Sequence, residues 1–219
     1  MFKTKTLSLH NKCVNQNPCT QSVPFMEKIF IYKEEGIIEV SLLTYYPAKY
    51  QESLNLSMED LITSQFILDF KNGHKPASIL AAKIVASVIE KHFDLTKGPI
   101  VFIPIPASNR EDSKKRYHLF SYLVSQYCQI VDGQQWVKNW REVDKKHLSS
   151  SHAILDDHDR WFVNYSLIKN KQVVIFDDIA TTGETASEFT QRLTNSGAKV
   201  IGKVFLASTY KIKHNHLDR

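Results

Sequence analysis

The chain has few cysteines: among 219 residues there are three, Cys13, Cys19 and Cys128. They form neither a Cys-x-x-Cys pair nor a disulfide framework, so reduced thiols and a cytoplasmic protein are expected. Long apolar runs are also missing. Nothing approaches the ~18–20 residues that span a bilayer, and the basic start Met1-Phe2-Lys3-Thr4-Lys5 leads into no apolar segment, so neither a membrane span nor a secretory leader is expected. Internal repeats and low-complexity tracts are absent. His147, His152 and His158 lie five and six residues apart, without the i, i+4 spacing or cysteine partners that zinc would want, so no protein-held metal is expected.

An apolar content of 42% is enough for a real core, and the length fits one domain with a small appendage. A net charge of +5 suits a polyanionic partner without naming it. Because Lys and Arg are scattered, nucleic acid is only weakly supported. Residues 1–24 are polar and carry no periodic signal, which reads as a loose arm or an edge element. Lys28 to Lys33 and Gly36 to Tyr45 read as two strands joined by a turn. Met58 to Phe70 reads as a helix with Ser57 as cap and Asp60 at its third position. A longer helix from Pro76 to Phe93 repeats apolar residues every four positions (Leu80, Ile84, Val88; Ala81, Val85, Ile89).

Pro99 to Ile103 reads as a buried strand and about Lys115 to Val131 as a helix, with a third strand around Gln134 to Val143. Asp144 to Asp159 is polar enough to be a long loop, and a last strand runs from Lys199 to Ala207. Strands alternating with helices imply right-handed crossovers, hence an α/β fold with a mainly parallel twisted sheet and the ligand at the strands' carboxyl ends.

The richest stretch is Val173-Val174-Ile175-Phe176-Asp177-Asp178-Ile179-Ala180-Thr181-Thr182-Gly183-Glu184-Thr185. Four apolar residues make a strand buried on both faces. Two carboxylates stand at its end, and after a short hydroxyl-rich loop a helix opens, with Ala186, Phe189 and Leu193 on one face. Free amides of the helix's first turn, with the hydroxyls of Thr181, Thr182 and Thr185, form a site for a phosphate monoester. The carboxylates would repel that phosphate, so they are expected to accept hydrogen bonds from hydroxyls of the sugar that carries it. The implied ligand is a ribose 5-phosphate. An ordinary strand with a Thr cap explains one threonine but not the whole run.

Apolar residues, two acids and Thr-Thr-Gly resemble the phosphoribosyl pyrophosphate (PRPP) signature of type I phosphoribosyltransferases. The run Ile103-Pro104-Ile105-Pro106 through Arg116-Tyr117-His118-Leu119-Phe120 is similar to the competence protein F (ComF-like) branch of that superfamily. That branch carries Arg-Gly-Phe-Asn-Gln in this place, of which the Arg and an aromatic remain here while the Gly and Asn do not. Lys71-Asn72-Gly73-His74 loosely resembles its Lys-Tyr-x-Gly element. The branch's zinc ribbon has no counterpart, since two Cys-x-x-Cys pairs are lacking. The resemblance covers about residues 65–208.

It implies the type I fold with a small hood, the core being residues 71–219 and residues 1–70 supplying the arm and hood elements. It implies PRPP binding by Asp177, Asp178, Ala180, Thr181, Thr182, Gly183, Glu184 and Thr185, and pyrophosphate binding by the turn Pro106-Ala107-Ser108-Asn109-Arg110. A flexible loop covers the leaving pyrophosphate in these enzymes, which makes Arg141, Lys145 and Lys146, with His147 beside them, the candidates for stabilising departing charge. Magnesium would arrive with PRPP, keeping most of its water. The expected activity is phosphoribosyl transfer, a glycosyltransferase reaction of nucleotide metabolism, to an unidentified nitrogenous acceptor on which Tyr45, Tyr46 or Tyr210 could stack. A non-catalytic PRPP or nucleotide sensor, regulatory or serving DNA uptake, uses the same pocket, and the resemblance allows a homodimer.

Overall fold

The computed structural model describes residues 29–34, 36–51, 53–139 and 160–210. The expected arm at 1–24, the loop at 144–159 with Lys145, Lys146 and the three histidines, and Arg141 before it lie outside the described residues.

Near the amino end, β1 (Phe30–Glu34) and β2 (Ile37–Tyr45) form an antiparallel hairpin. A single turn, α1 (Ala48–Gln51), precedes α2 (Met58–Lys71) and α3 (Lys75–His92). The capping box expected at Ser57 is present: the Asp60 amide donates to the Ser57 hydroxyl at 3.1 Å, and the Ser57 amide donates to the Asp60 carboxylate at 3.1 Å. Such a box satisfies two amides that the first turn would otherwise leave unbonded. Then come β3 (Ile100–Pro104), α4 (Arg110–Cys128) and the short β4 (Val131–Asp132). The small pair β5 (Val137–Asn139) and β6 (Trp161–Val163) is followed by the single turn α5 (Tyr165–Ile168). Last among the described residues come β7 (Gln172–Ala180), α6 (Glu184–Asn195) and β8 (Lys199–Thr209).

Six strands form one sheet in the order β1-β2-β8-β7-β3-β4, with all neighbours from β2 to β4 parallel and β1 antiparallel at the edge. This is the mainly parallel α/β sheet flanked by helices that the strand and helix alternation requires. Because helices cover both faces, its central strands are continuous apolar runs rather than alternating ones; every residue of β3 is buried. On one face α2, α3 and α4 pack around Phe70, Phe102, Phe120 and Phe176, whose rings meet at centroid distances of 4.5 to 5.9 Å. On the other, α6 brings Ala186, Phe189 and Leu193 against Val173, Ile175 and Phe205, and Trp161 closes edge-on over Phe189 at 5.0 Å. Each large side chain withdrawn from water here stabilises the fold by about 1.5–3 kcal/mol. The hairpin and α2, from the segment assigned to arm and hood, share this sheet and core: β2 pairs along β8, and Ile67 and Phe70 are fully buried. Among the described residues no helix is long and apolar enough to cross a membrane.

Two elements differ from expectation. The strand expected around Gln134 to Val143 is instead one 3-10 turn at Gln134–Trp136 followed by β5, which pairs antiparallel with β6 outside the main sheet. The cause is local. Asp132 accepts from the Gln134 amide at 3.0 Å and from the Ser121 hydroxyl at 2.6 Å, so its carboxylate ends β4 in a turn. Helix α4 begins at Arg110 rather than near Lys115, because Asn109 caps it: the Asp112 amide donates to the Asn109 side-chain oxygen at 2.8 Å.

Candidate functional site

β7 does not stop at Phe176. β8 supplies partners for its whole length, with Asp177 opposite Phe205 and Ala180 opposite Ser208, so both acids are strand residues at the carboxyl edge of the sheet. Successive strand side chains face opposite ways. Val174 and Phe176 belong to the α2, α3 and α4 core and Val173 and Ile175 to the α6 core, which puts Asp178 on the first side and Asp177 on the second.

Asp178 is buried and engaged. One oxygen accepts from the Arg116 guanidinium at 2.7 Å and the other from the Ile179 amide at 2.8 Å, while Arg116 also donates through Nε to the Lys71 carbonyl at 3.0 Å. The fork thus ties α4, the end of α2 and β7 together. Each carboxylate oxygen keeps a second lone pair for a ligand hydroxyl. Asp177 accepts from the Asp178 amide at 2.9 Å. Burial first, and then the neighbouring Asp178 charge, push its carboxyl up to about 7, with Arg116 pulling weakly the other way.

Beyond β7 the chain turns through Thr181 and Thr182, both exposed, into Gly183, whose φ of +82° is left-handed and which caps α6. A Cβ there would meet nothing within 4 Å, so glycine is required by conformation and not by space. Ala180, half-buried, ends the strand, and Glu184 opens the helix, its amide donating to the Thr182 hydroxyl at 3.4 Å. Thr185 stands half-buried in the first turn, where helix amides have no partners within the helix.

The turn after β3 starts alongside. Pro104 pairs with Phe176, and the Ile105 amide donates to the Phe176 carbonyl at 2.8 Å, so residues 106–110 leave the sheet beside Asp177. Within it the Ala107 amide donates to the Ser113 hydroxyl and Asn109 is engaged as the α4 cap, which leaves Ser108 and Arg110, both exposed, as its outward side chains after Pro106. The Asn139 side chain donates to the Ser108 carbonyl at 3.2 Å. The segment that carries Arg141, Lys145 and Lys146 therefore departs from a residue attached to this turn. Those three side chains themselves lie outside the described residues.

On the other flank of β7 a cavity of about 400 Å³ opens at the ends of β2, β7 and β8. Its lining includes Asp178, Ile179 and Thr181 together with Tyr45, Tyr210 and Lys71. Tyr210 is backed by Tyr46, the rings stacked at 5.0 Å. No group of three or more metal-ligating side chains is found among the described residues.

No family model matches the sequence, and no curated protein does. Among solved structures, similar chains include the adenine phosphoribosyltransferase of Thermoanaerobacter pseudethanolicus, 15% identical over 62% of this chain and 70% of that one with a TM-score of 0.43. The adenine phosphoribosyltransferase of Leishmania tarentolae is 12% identical over 81% and 94%, with a TM-score of 0.44. An allosteric regulatory enzyme of purine biosynthesis is 14% identical over 65% of this chain and 30% of that one, with a TM-score of 0.40. What the site can bind is decided by its own residues.

Those residues include some that the motif does not announce. Arg116 carries a signal in the sequence only through the resemblance of residues 116–120, and its partner lies 62 positions away. Lys71 precedes Gly73, whose φ of +70° and close approach to the Lys115 carbonyl, 2.5 Å from where a Cβ would stand, demand glycine. Thr209 and Lys49 have no sequence signature at all.

Proposed function

We propose that this chain binds magnesium-complexed PRPP across the carboxyl end of β7 and transfers its ribose 5-phosphate to a nitrogenous acceptor, releasing pyrophosphate. The observation that carries the reading is the adjacency of two carboxylates, a glycine-capped helix start and the turn after β3 at one sheet edge. Asp177 and Asp178 accept from the ribose hydroxyls, and Thr181, Thr182 and Thr185 with the α6 amides, flanked by Ala180 and Glu184, hold the 5-phosphate around Gly183. The 106–110 turn receives the pyrophosphate.

Reaction breaks the bond from C1 to the pyrophosphate oxygen, whose electron pair leaves with magnesium pyrophosphate. The acceptor nitrogen's lone pair forms the new C1–N bond, and any proton it carries passes to water. Positioning supplies much of the rate, and Arg141, Lys145 and Lys146 meet charge that grows only as the bond breaks.

Calorimetry with PRPP and magnesium tests the binding step. Asp177→Asn combined with Asp178→Asn is expected to weaken affinity by about 100-fold, the loss of two charge-assisted hydrogen bonds. Unchanged affinity in the double variant would reject the ribose assignment. Pyrophosphate release across purine, pyrimidine and ammonia acceptors then separates a transferase from a sensor, which binds without release.

A further inference from the structure

We infer that the acceptor is a planar aromatic nitrogen compound bearing a carboxylate, bound in the cavity between the tyrosines and lysines at the ends of β2 and β8. The inference rests on the phosphoribosyl-transfer reading and deepens it.

Position comes first. In the strand order the turn after β3 lies on one side of β7, while the cavity lies on the other, toward β8 and β2. Cations in the cavity are therefore on the acceptor side of the ribose acids and not on the pyrophosphate side. Two cations are present there, Lys49 and Lys71. The acid in the lining, Asp178, is neutralised by Arg116 at 2.7 Å, so the cavity favours an anion.

The walls are also aromatic. Tyr45, Tyr50 and Tyr210 line it, with Lys49 Nζ 4.7 Å from the Tyr50 ring centroid and Tyr210 stiffened by its stack on Tyr46. Flat apolar surfaces beside ammonium groups suit a ring that ends in a carboxylate. At about 400 Å³ the space is at the small end of ligand sites, room for one ring rather than a large partner.

The test pairs each acid with its neutral counterpart: pyridine-3-carboxylate against pyridine-3-carboxamide, and 6-carboxyuracil against uracil. Pyrophosphate release is measured with PRPP and magnesium, and saturation-transfer NMR reports binding of the rings alone. The carboxylates are expected to show kcat/KM higher by about 10- to 100-fold, the contribution of a charge-assisted hydrogen bond. Lys49→Met and Lys71→Met should erase that preference, and Lys49→Arg should restore part of it. Equal turnover of the neutral bases would overturn the inference while the transferase reading stands. So would lysine variants that weaken PRPP binding and slow every acceptor alike, since the lysines would then serve phosphate. If nothing releases pyrophosphate, the transferase reading fails, and the NMR arm still decides the cavity. Carboxylate signals lost in Lys49→Met support an anion site, and no saturation transfer for either acid overturns it.

Discussion

Replacing Asp177 with Asn should remove a pH dependence of stability that the wild type carries between about pH 4 and pH 7. In the fold the Asp177 carboxyl is pushed up to about 7 from an ordinary 3.8, by burial and by Asp178. Below the ordinary value the group is protonated in both states and costs nothing. As pH rises, the unfolded chain releases the proton first while the native state still holds it. Stability therefore falls until the native carboxyl also ionises, and is flat above that. At about 1.4 kcal/mol per tenfold change in proton affinity the full penalty is at most on the order of 4 kcal/mol. Urea denaturation of wild type and Asp177→Asn at intervals from pH 5 to pH 8 isolates it, because most other titrating groups cancel in the difference. The variant should gain on the wild type up to about pH 7 and then level off, by at least about 1.5 kcal/mol across the range. A difference that stays level, or that moves in favour of the wild type as pH rises, would refute the account of a carboxylate held against its neighbour's charge.

Arg116→Met should destabilise the protein by about 3–5 kcal/mol in the same denaturation assay, because it strands the buried Asp178 charge. Arg116→Lys should recover only part, since an ammonium does not reproduce the fork to Asp178 and the Lys71 carbonyl. Gly183→Val should weaken binding of ribose 5-phosphate and of AMP in calorimetry through a backbone strain of about 1–2 kcal/mol at φ +82°; equal affinities would remove the phosphate cradle. Lys145→Ala with Lys146→Ala should lower turnover about 100-fold while changing PRPP affinity far less, and pyrophosphate release unaffected by the pair would reject these lysines.

The half of the candidate site from Val173 to Thr185 is legible in the sequence because it is local: an apolar run, two acids and a glycine-capped helix start lie within thirteen consecutive residues, and the fold keeps them in that order. The parallel sheet is legible for a similar reason, since strands and helices alternate. Less local features escape. That Asn109 caps α4 is not announced by its place in the turn after β3, and only the Asp112 amide at 2.8 Å from its side-chain oxygen shows it. The Arg116 fork joins three elements that are distant in the chain, and no spacing rule marks it. At Gln134 to Trp136 a 3-10 turn stands where a strand is expected, held by the Asp132 carboxylate, which accepts from the Gln134 amide at 3.0 Å, a contact no apolar pattern announces.

The pairing of β2 with β8 also governs how the molecule is made. Ile38 waits for Gly202, and Tyr45 for Thr209, so β2 finds its inner partner only 164 residues later in the chain (202 − 38). Until then the inner edges of β2 and β7 expose unpaired amides and carbonyls, which makes the nascent chain prone to wrong strand partners and its folding slow for its size. The same arrangement makes the cavity wall a late product: Tyr45 and Tyr210 come together only when β8 zips along β2, where the Tyr210 amide donates to the Tyr45 carbonyl at 2.8 Å. A chain that stops short of β8 would carry Asp177 and Asp178 but not the Tyr45–Tyr210 side of the cavity, and no continuous sheet to hold them.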